Sequence, residues 1–203
     1  MSACLLIAHP DDESMFFLPV IVGLRKRKVP IYLLCVTSGN AEGKGEVRAK
    51  ELQKLAEYLQ LAGCEIIDNV LFPDSMSVEW DILLLKEAVI PYLKQNNVKF
   101  LYTFDDYGVS GHCNHISLSF LAARFELDCE VFRLKSHSFF WKYSFITKLI
   151  DYRINNMKES YSLCLWEGLQ LAYNCMKIHS SQLIWFRYLY IFFSRYTCKN
   201  EFI

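Results

Sequence analysis

The chain has 203 residues, of which 53% are hydrophobic and 22% charged, so it is long and apolar enough to bury a sizeable core. Lys+Arg and Asp+Glu are both 22, which gives a formal net charge of zero. Because nucleic-acid-binding proteins usually carry a basic excess, this balance excludes nucleic acid as the main partner. We identify no signal peptide and no run of the roughly 20 apolar residues needed to span a bilayer.

The eight cysteines form no CxxC pair, and Cys4 and Cys35 lie within strand-like apolar runs. This placement predicts free, mostly buried thiols rather than a disulfide framework or a structural zinc site. Free thiols in turn indicate a reducing compartment.

Strand-like and helix-like segments alternate through the first half of the chain. Apolar runs predict buried strands at 3–7 and 31–37, and we expect a third, weaker strand at 65–70 and a fourth at 98–104. Spacings of three and four predict helices at 14–28, 46–61 and 79–96. We expect Pro19 to kink the first helix or mark a late start, and Gly63 to end the second. Four β–α units in order predict an α/β fold with a mostly parallel sheet and helices on both faces.

The second half is less regular. It predicts strands at 129–134 and 160–165 and a helix at 167–178, whereas the aromatic stretch 137–150 receives no assignment. Since no repeat, linker or low-complexity segment interrupts the chain, we expect residues 1–203 to form a single domain.

A cluster of polar residues follows the first strand. The sequence there is Ala8-His9-Pro10-Asp11-Asp12-Glu13, which places an imidazole and three carboxylates at the tip of a buried strand. Ligands of open α/β sheets bind at such tips, and imidazole with carboxylate suits Zn²⁺. The cluster therefore predicts one half of a metal site.

The second half of this site follows the fourth strand, in the segment Gly108-Val-Ser-Gly-His-Cys-Asn-His115. His112 and His115 are three residues apart and would share one face of a helix, with Ser110 or Gly111 as its N-cap. Parallel strands end at the same edge of a sheet, so both histidines should meet the first cluster.

A catalytic zinc needs three protein ligands and an open position for water. His9, Asp12 and His115 would supply the ligands, leaving Asp11 as a proton acceptor and His112 to stabilise an oxyanion or protonate a leaving amine. Spacing alone does not decide between Asp11 and Asp12, or between His112 and His115. These parts fit metal-assisted hydrolysis of an amide or ester. The other two histidines, His137 and His179, have no partner pattern and are interpreted as structural or surface residues.

The two motifs together resemble those of the PIG-L/LmbE-type zinc deacetylases. The segment Gly45–Leu52 and the tail from Ser181 through Tyr196 extend the likeness, in particular to the eukaryotic branch of that family. The resemblance implies a Rossmann-like fold and removal of the acetyl group from N-acetylglucosaminyl-phosphatidylinositol, the second step of GPI-anchor synthesis.

The resemblance also assigns roles by position. It implies that zinc is held by His9, Asp12 and His115, with another divalent metal as the alternative. It also implies that Asp11 is the general base and that His112 stabilises the oxyanion and acts as the acid. Two further residues, Arg48 and Glu51, match a pair near the substrate; the alternative for them is a surface salt bridge on their helix.

The expected location follows from a lipid substrate. The eukaryotic relatives usually carry a membrane-spanning helix ahead of the first strand, and this chain begins at the strand, so the cytoplasmic face of the endoplasmic reticulum membrane and the soluble cytoplasm are both open. Residues 183–193 contain one charge in eleven positions. Their Trp, Tyr and Arg side chains suit a membrane interface, and the aromatic segment 181–196 is predicted to contact either the membrane or the core.

Three other functions are weighed against this one. The enzyme could deacetylate a soluble N-acetylglucosamine conjugate, or the chain could be a non-catalytic subunit of a membrane complex, although every proposed site residue is present. A nucleotide-binding domain is disfavoured, because His-Pro-Asp-Asp replaces the glycine-rich turn and its carboxylates would repel a pyrophosphate. The sequence indicates no particular protein partner.

Overall fold

One sheet organises the part of the chain that the computed structural model describes, residues 1–144 and 157–203. Its strands, numbered in chain order, are β1 Ser2–Ile7, β2 Ile31–Cys35, β3 Gly63–Ile66, β4 Val98–Phe104, β5 Glu130–Leu134, β6 Glu159–Ser162 and β7 Lys199–Phe202. The order across the sheet is β3-β2-β1-β4-β5-β7-β6. The first five strands are parallel, and β7 is antiparallel to β5 and β6, which confirms the mostly parallel α/β sheet.

Helices connect and cover these strands. In chain order they are α1 Asp12–Phe16, α2 Leu18–Lys26, α3 Gly45–Tyr58, α4 Ile82–Gln95, α5 Gly108–Gly111, α6 Cys113–Arg124, α7 Phe139–Tyr143, α8 Leu165–Ile178 and α9 Trp185–Phe193. Helices α4 and α6 pack on each other and on β4, whereas α1, α2 and α3 pack against α8. The sheet therefore lies between two helical layers, as a crossover α/β arrangement requires.

Strand β1 lies at the centre of the core. It pairs with β2 through Leu5 and Leu33 and with β4 through Cys4 and Leu101, and residues 3–7 are fully buried. Burial on both faces explains why this segment is continuously apolar rather than alternating. The chain leaves β1 directly into the polar cluster, so the most rigid strand of the sheet positions it.

The predicted helix at 14–28 is two helices. It breaks at Phe17, and Pro19 lies in the first turn of α2, where its missing N–H removes no helical hydrogen bond. The prediction that Pro19 marks a late start is confirmed.

The prediction that Gly63 ends the second helix is wrong. Helix α3 ends at Tyr58 with Leu59 as its C-cap, Gln60 takes the left-handed conformation at φ 54°, and Gly63 is the first residue of β3. A Cβ on Gly63 would lie 2.9 Å from the ring of Tyr32, so this glycine allows close packing of neighbouring strands. Strand β3 accordingly lies at 63–66 instead of 65–70.

The strand predicted at 129–134 is confirmed as β5 and the helix predicted at 167–178 as α8. The strand predicted at 160–165 is confirmed as β6 only up to Ser162, because Leu165 already begins α8. In the unassigned stretch 137–150, residues 139–143 form α7, and 145–150 lie outside the described residues. All eight cysteines are free, as predicted. Within residues 1–144 and 157–203, no helix has both the length and the apolar character needed to cross a membrane.

Candidate active site

A tight turn after β1 fixes the carboxylate of Asp12. Its Oδ2 accepts backbone hydrogen bonds from Ala8 at 3.1 Å and His9 at 2.9 Å, which leaves Oδ1 facing His115. Burial opposes ionisation of this carboxyl, but His115 and His9 outweigh that effect and hold its pKa well below the usual value. Asp12 is therefore a buried carboxylate with one oxygen available to a cation.

The ring of His115 is held in a defined orientation. It stacks on Phe104 with the ring centroids 3.9 Å apart, and its Nδ1 donates to the Gly108 carbonyl at 3.0 Å. Gly108 has φ +60°, and a Cβ there would lie 2.6 Å from the Cβ of His115, so only glycine fits. With the proton on Nδ1, the lone pair of Nε2 points into the site.

This lone pair provides a test of whether the residues suit a metal ion. Nε2 of His115 is buried without a hydrogen-bond partner and lies 3.2 Å from Asp12 Oδ1. Two electron-rich atoms in this arrangement are stabilised by a cation placed between them. The ligand atoms of His9, Asp12 and His115 all lie within 4.8 Å of one another. Two imidazoles and a carboxylate are a donor set typical of catalytic zinc sites, so the residues fit a metal.

His9 is surrounded by negative charge. Its Nδ1 lies 3.6 Å from Asp12 Oδ2, and its Nε2 lies 3.2 Å from Asp74 Oδ1 and 3.0 Å from Asn114 Oδ1. Burial lowers the pKa of His9, but Asp12 and Asp74 outweigh it and raise that pKa to about 10. The local field therefore favours positive charge at the position of the proposed metal site.

Asp11 is separate from the three potential ligands. It is buried, its backbone has the strained value φ 111°, and its Oδ2 accepts a hydrogen bond from Arg187 at 2.7 Å. Arg48 lies 3.5 Å from Oδ1. Burial, assisted by Asp12, raises the pKa of Asp11 despite the two guanidinium groups. A carboxylate with a raised pKa suits a general base, and backbone strain of this kind concentrates at functional sites.

The prediction that Ser110 or Gly111 caps the helix is wrong. His112 itself is the N-cap of α6, because its Nδ1 accepts a hydrogen bond from the Asn114 amide at 3.2 Å. The neutral ring then carries its proton on Nε2. Burial and the neighbouring rings of His9 and His115 lower the pKa of His112 to about 4. A neutral imidazole N–H is thus present beside the proposed ligands.

Arg48 and Glu51 lie one turn apart on α3 but have different environments. Arg48 donates to the carbonyls of Gly39 and Pro10, both at 2.8 Å, and lines the cavity beside Asp11. Glu51 accepts from Ser180 Oγ at 3.0 Å and Ser181 N at 2.8 Å. Both side chains are buried, which rules out the surface salt bridge considered as their alternative.

The sequence analysis missed several residues of the site. Asp74 from the loop before α4 contacts His9 and Arg48. Asn114, fully buried, connects His9 to the Ser75 amide and the Val78 carbonyl. Its position between the two histidines was a usable signal, whereas the loop containing Asp74 has no periodic pattern.

Two cations from the second half of the chain were also missed. Arg187 was counted only as the single charge of an apolar segment, yet it is bonded to Asp11. Lys142 in α7 is buried, donates to the Val109 carbonyl at 2.8 Å and lines the same cavity. The surroundings of both are set by long-range packing that the sequence pattern does not encode.

The remaining histidines are structural, as interpreted. His179 is fully buried and its Nε2 lies 2.7 Å from Glu13 Oε1, while the other oxygen of Glu13 accepts from the Asp11 amide at 3.2 Å. His137 pairs with Glu201 at 2.9 Å. Through Glu13, His179 anchors the turn that carries Asp11.

The proposed site lies in one cavity of about 300 Å³. It is lined by both proposed catalytic residues, the three potential metal ligands, Arg48 and Asp74, and, from the C-terminal half, by Lys142, Tyr143, Gln182, Arg187 and Tyr190. A cation site, a carboxylate base and a neutral N–H donor within one small cavity can together hydrolyse an amide.

Comparisons with known proteins agree with this chemistry. The family model described as PIG-L, GlcNAc-PI de-N-acetylase, matches residues 4–125. The chain is 36% identical to N-acetylglucosaminyl-phosphatidylinositol de-N-acetylase of Bos taurus, with 97% of this chain and 81% of that protein covered. It is 31% identical to the probable enzyme of the same name from Schizosaccharomyces pombe, with coverages of 98% and 85%.

Solved structures share the fold. N,N'-diacetylchitobiose deacetylase from Pyrococcus horikoshii superimposes with a TM-score of 0.63 at 16% identity, covering 90% of this chain and 71% of that one. A deacetylase of the teicoplanin biosynthetic pathway gives 0.64 at 8% identity, covering 100% and 98%. Together with the sequence matches, these findings show that the chain belongs to the PIG-L family and is an enzyme of the deacetylase type.

Proposed function

We propose that this protein hydrolyses the acetamide of N-acetylglucosaminyl-phosphatidylinositol, releasing acetate and glucosaminyl-phosphatidylinositol in the second step of GPI-anchor synthesis. The observation that carries the proposal is the convergence of a His-Asp-His set, a separate buried carboxylate and a neutral imidazole on one cavity. The choice of substrate is supported by the relatives that bear this activity in their names.

Zinc is the metal we propose, held by His9, Asp12 and His115. When bound, it would polarise the acetyl carbonyl and make a water molecule more acidic. The protein's own contacts orient the proposed ligands. Two backbone amides orient Asp12, and the Gly108 carbonyl fixes the tautomer of His115. Such outer contacts hold ligands in the correct orientation.

Asp11 would accept the proton of the attacking water. The water oxygen forms a bond to the acetyl carbon, and the proton moves to the Asp11 carboxylate. Arg187 and Arg48 hold that carboxylate in place, and burial raises its pKa, which makes it a stronger proton acceptor. Their contacts support this division of labour between Asp11 and Asp12, since Asp12 faces His115 and Asp11 faces the two arginines.

His112 would stabilise the oxyanion that develops on the acetyl oxygen. Its Nδ1 is occupied by the Asn114 amide, so the Nε2 proton is the one available to substrate. A preorganised donor of this kind acts at the point where charge develops. When the C–N bond breaks, the leaving amine takes up the proton that Asp11 accepted from the water, and we propose that His112 relays it, so that both side chains return to their starting protonation states.

Arg48 and Glu51 are proposed to act near the substrate in different ways. Arg48 lines the cavity and positions Asp11. Glu51 holds the segment of Ser180 and Ser181, from which the chain enters Gln182 in the cavity wall. We therefore infer direct contact with substrate only for Arg48.

The protein is proposed to work at the cytoplasmic face of the endoplasmic reticulum membrane, as one domain whose segment 181–196 contacts lipid. Beside the cavity, α7 and α9 expose Phe140 at 83% and Trp185 at 74% of their surface. Exposed aromatic side chains suit the headgroup region of a bilayer. These two exposed aromatic side chains, Phe140 and Trp185, form what we call the aromatic ridge, and they support an active site that opens toward a membrane.

Acetate release from matched substrates tests the proposal. Purified enzyme is given N-acetylglucosaminyl-phosphatidylinositol in mixed micelles, and in parallel a water-soluble N-acetylglucosamine conjugate. We expect acetate from the lipid-linked substrate at a kcat/KM well above that for the soluble one. The reverse preference would assign the enzyme to soluble conjugates, and zinc-loaded, folded protein that releases acetate from neither would favour a non-catalytic subunit.

A further inference from the structure

A second, apolar cavity adjoins the catalytic one. It has a volume of about 620 Å³ and lies between α7 and α9. Four of its wall residues also line the catalytic cavity, namely Met15, Tyr143, Arg187 and Tyr190. The two cavities therefore adjoin at these side chains, at a distance that one lipid molecule can span.

Hydrocarbon forms the rest of the wall, contributed by Phe139, Phe186, Leu189 and Phe193. Among the described residues that line this cavity, Arg187 is the one that carries a charge, and its guanidinium is directed to Asp11. The hydroxyl of Tyr190 donates to the Met15 carbonyl at 2.7 Å, so the polar end of that side chain is already satisfied. Among the described residues, the polar side-chain groups of this wall are thus the Arg187 guanidinium and the hydroxyls of Tyr143 and Tyr190, and the other lining side chains are apolar.

The outer part of this wall is open to solvent. Leu189 is 50% exposed, Phe186 44% and Phe193 38%. Exposed apolar side chains that adjoin one another are typical of sites that bind a ligand, a protein or a membrane. A cavity volume near 600 Å³ is in the range of small-molecule sites. The cavity's largely aromatic and aliphatic wall favours a hydrocarbon chain over a second sugar.

We propose that this acyl groove, lined by the residues named above, binds a fatty-acyl chain of the lipid substrate while the N-acetylglucosamine head group occupies the catalytic cavity. The inference rests on the proposed function, since it requires a substrate that carries both an acetamido sugar and hydrocarbon chains. Arg187 lies at the junction of the two spaces and marks the change from polar to apolar wall. The enzyme then recognises its lipid directly instead of only meeting it at a membrane surface.

A chain-length series tests the proposal. The substrates share one N-acetylglucosaminyl-inositol-phosphate head group and carry acyl chains of two to eight carbons, used below the concentration at which they aggregate. Each methylene that enters the groove should lower KM by about twofold to fourfold with little change in kcat, because uniform binding energy changes KM alone.

Two variants on α9 separate the groove from the rest of the helix surface. Leu189 lies in the groove wall. The variant Leu189→Gln places a polar amide there and should therefore flatten the dependence of KM on acyl-chain length. Tyr188→Gln is the matched control: Tyr188 is 48% exposed, lies on the same helix and does not line the groove, so the variant should keep the wild-type slope.

Each other outcome is decisive. A KM independent of chain length in the wild-type enzyme, or equal flattening in both variants, would overturn the acyl groove while leaving the deacetylase activity in place. If no member of the series releases acetate, including the head group without chains, the proposed function itself fails and the groove assignment with it.

Discussion

Replacing Asp11 with asparagine isolates proton transfer from metal binding. The amide keeps the size of the carboxylate but cannot accept the proton of the attacking water. Positioned general bases contribute about 10²–10⁴-fold to turnover. We therefore expect Asp11→Asn to lower kcat by about that factor, equivalent to about 3–5 kcal/mol of transition-state stabilisation.

The structure predicts that this variant stays folded and keeps its metal. Burial raises the pKa of Asp11, which means that the folded state disfavours the charged carboxylate. An uncharged amide avoids this cost in folding free energy, but it loses the charge-assisted contact that the carboxylate makes with Arg187 at 2.7 Å. The two effects oppose each other, and Tm should move by a few degrees only. Asp11 belongs to neither of the two groups of side chains whose ligand atoms converge, His9 with Asp12 and His115 and His9 with Asp74 and His112. Zinc content should therefore not change.

The assay combines acetate release with zinc per chain measured by atomic absorption. Asp12→Asn is the matched control and should lose zinc, because Asp12 faces His115 at 3.2 Å. The roles assigned to the two aspartates are refuted if Asp11→Asn loses zinc, or if it retains more than a tenth of wild-type kcat.

Three further variants test other parts of the account. His112→Ala should lower kcat by about 10²–10³-fold with little change in KM, as loss of one oxyanion donor does; an unchanged kcat in steady-state assays would remove His112 from the mechanism. Glu13→Ala leaves fully buried His179 without its carboxylate partner and should cost about 3–5 kcal/mol in urea unfolding, whereas exposed Glu46→Ala should leave the midpoint in place; equal midpoints would contradict the anchoring role. Trp185→Ala combined with Phe140→Ala should reduce partitioning to liposomes severalfold, and undiminished partitioning of the folded variant would exclude the aromatic ridge as the membrane contact.

The sheet and half of the site could be predicted from the sequence because their signals are local. Segment 3–7 is a continuous apolar run and segment 98–104 a mostly apolar one, and both are confirmed as strands. The carboxyl ends of neighbouring parallel strands lie at the same edge of a sheet. From this alone, the sequence predicts that His9 and Asp12 lie near His112 and His115. The structure brings these four side chains to one cavity.

The other half depends on tertiary packing. Asp74 belongs to a loop without periodicity, and its contact with His9 is a product of the fold. Arg187 lies in a segment whose composition suggested a membrane interface, but one face of α9 turns inward and brings the guanidinium to Asp11. Composition describes both faces of a helix together, whereas function here depends on which face each residue occupies.

Predictions from local sequence were also wrong where one residue type can have two structural roles. Glycine after a helix usually indicates a C-cap, yet Gly63 is a strand residue that lies against Tyr32. His112 was expected inside a helix turn and instead caps the helix through its own ring nitrogen. In each case a contact distant in sequence, or the direction of a side chain, decides the role.

The most direct test of the central claim is acetate release from N-acetylglucosaminyl-phosphatidylinositol by the purified protein before chelation, after chelation and after zinc is added back, with bound zinc measured in each state. The account predicts activity that disappears with the zinc and returns at one zinc per chain. Full activity in protein stripped of metal would contradict the metal-dependent site, and absence of acetate release at one zinc per chain would contradict the assigned reaction.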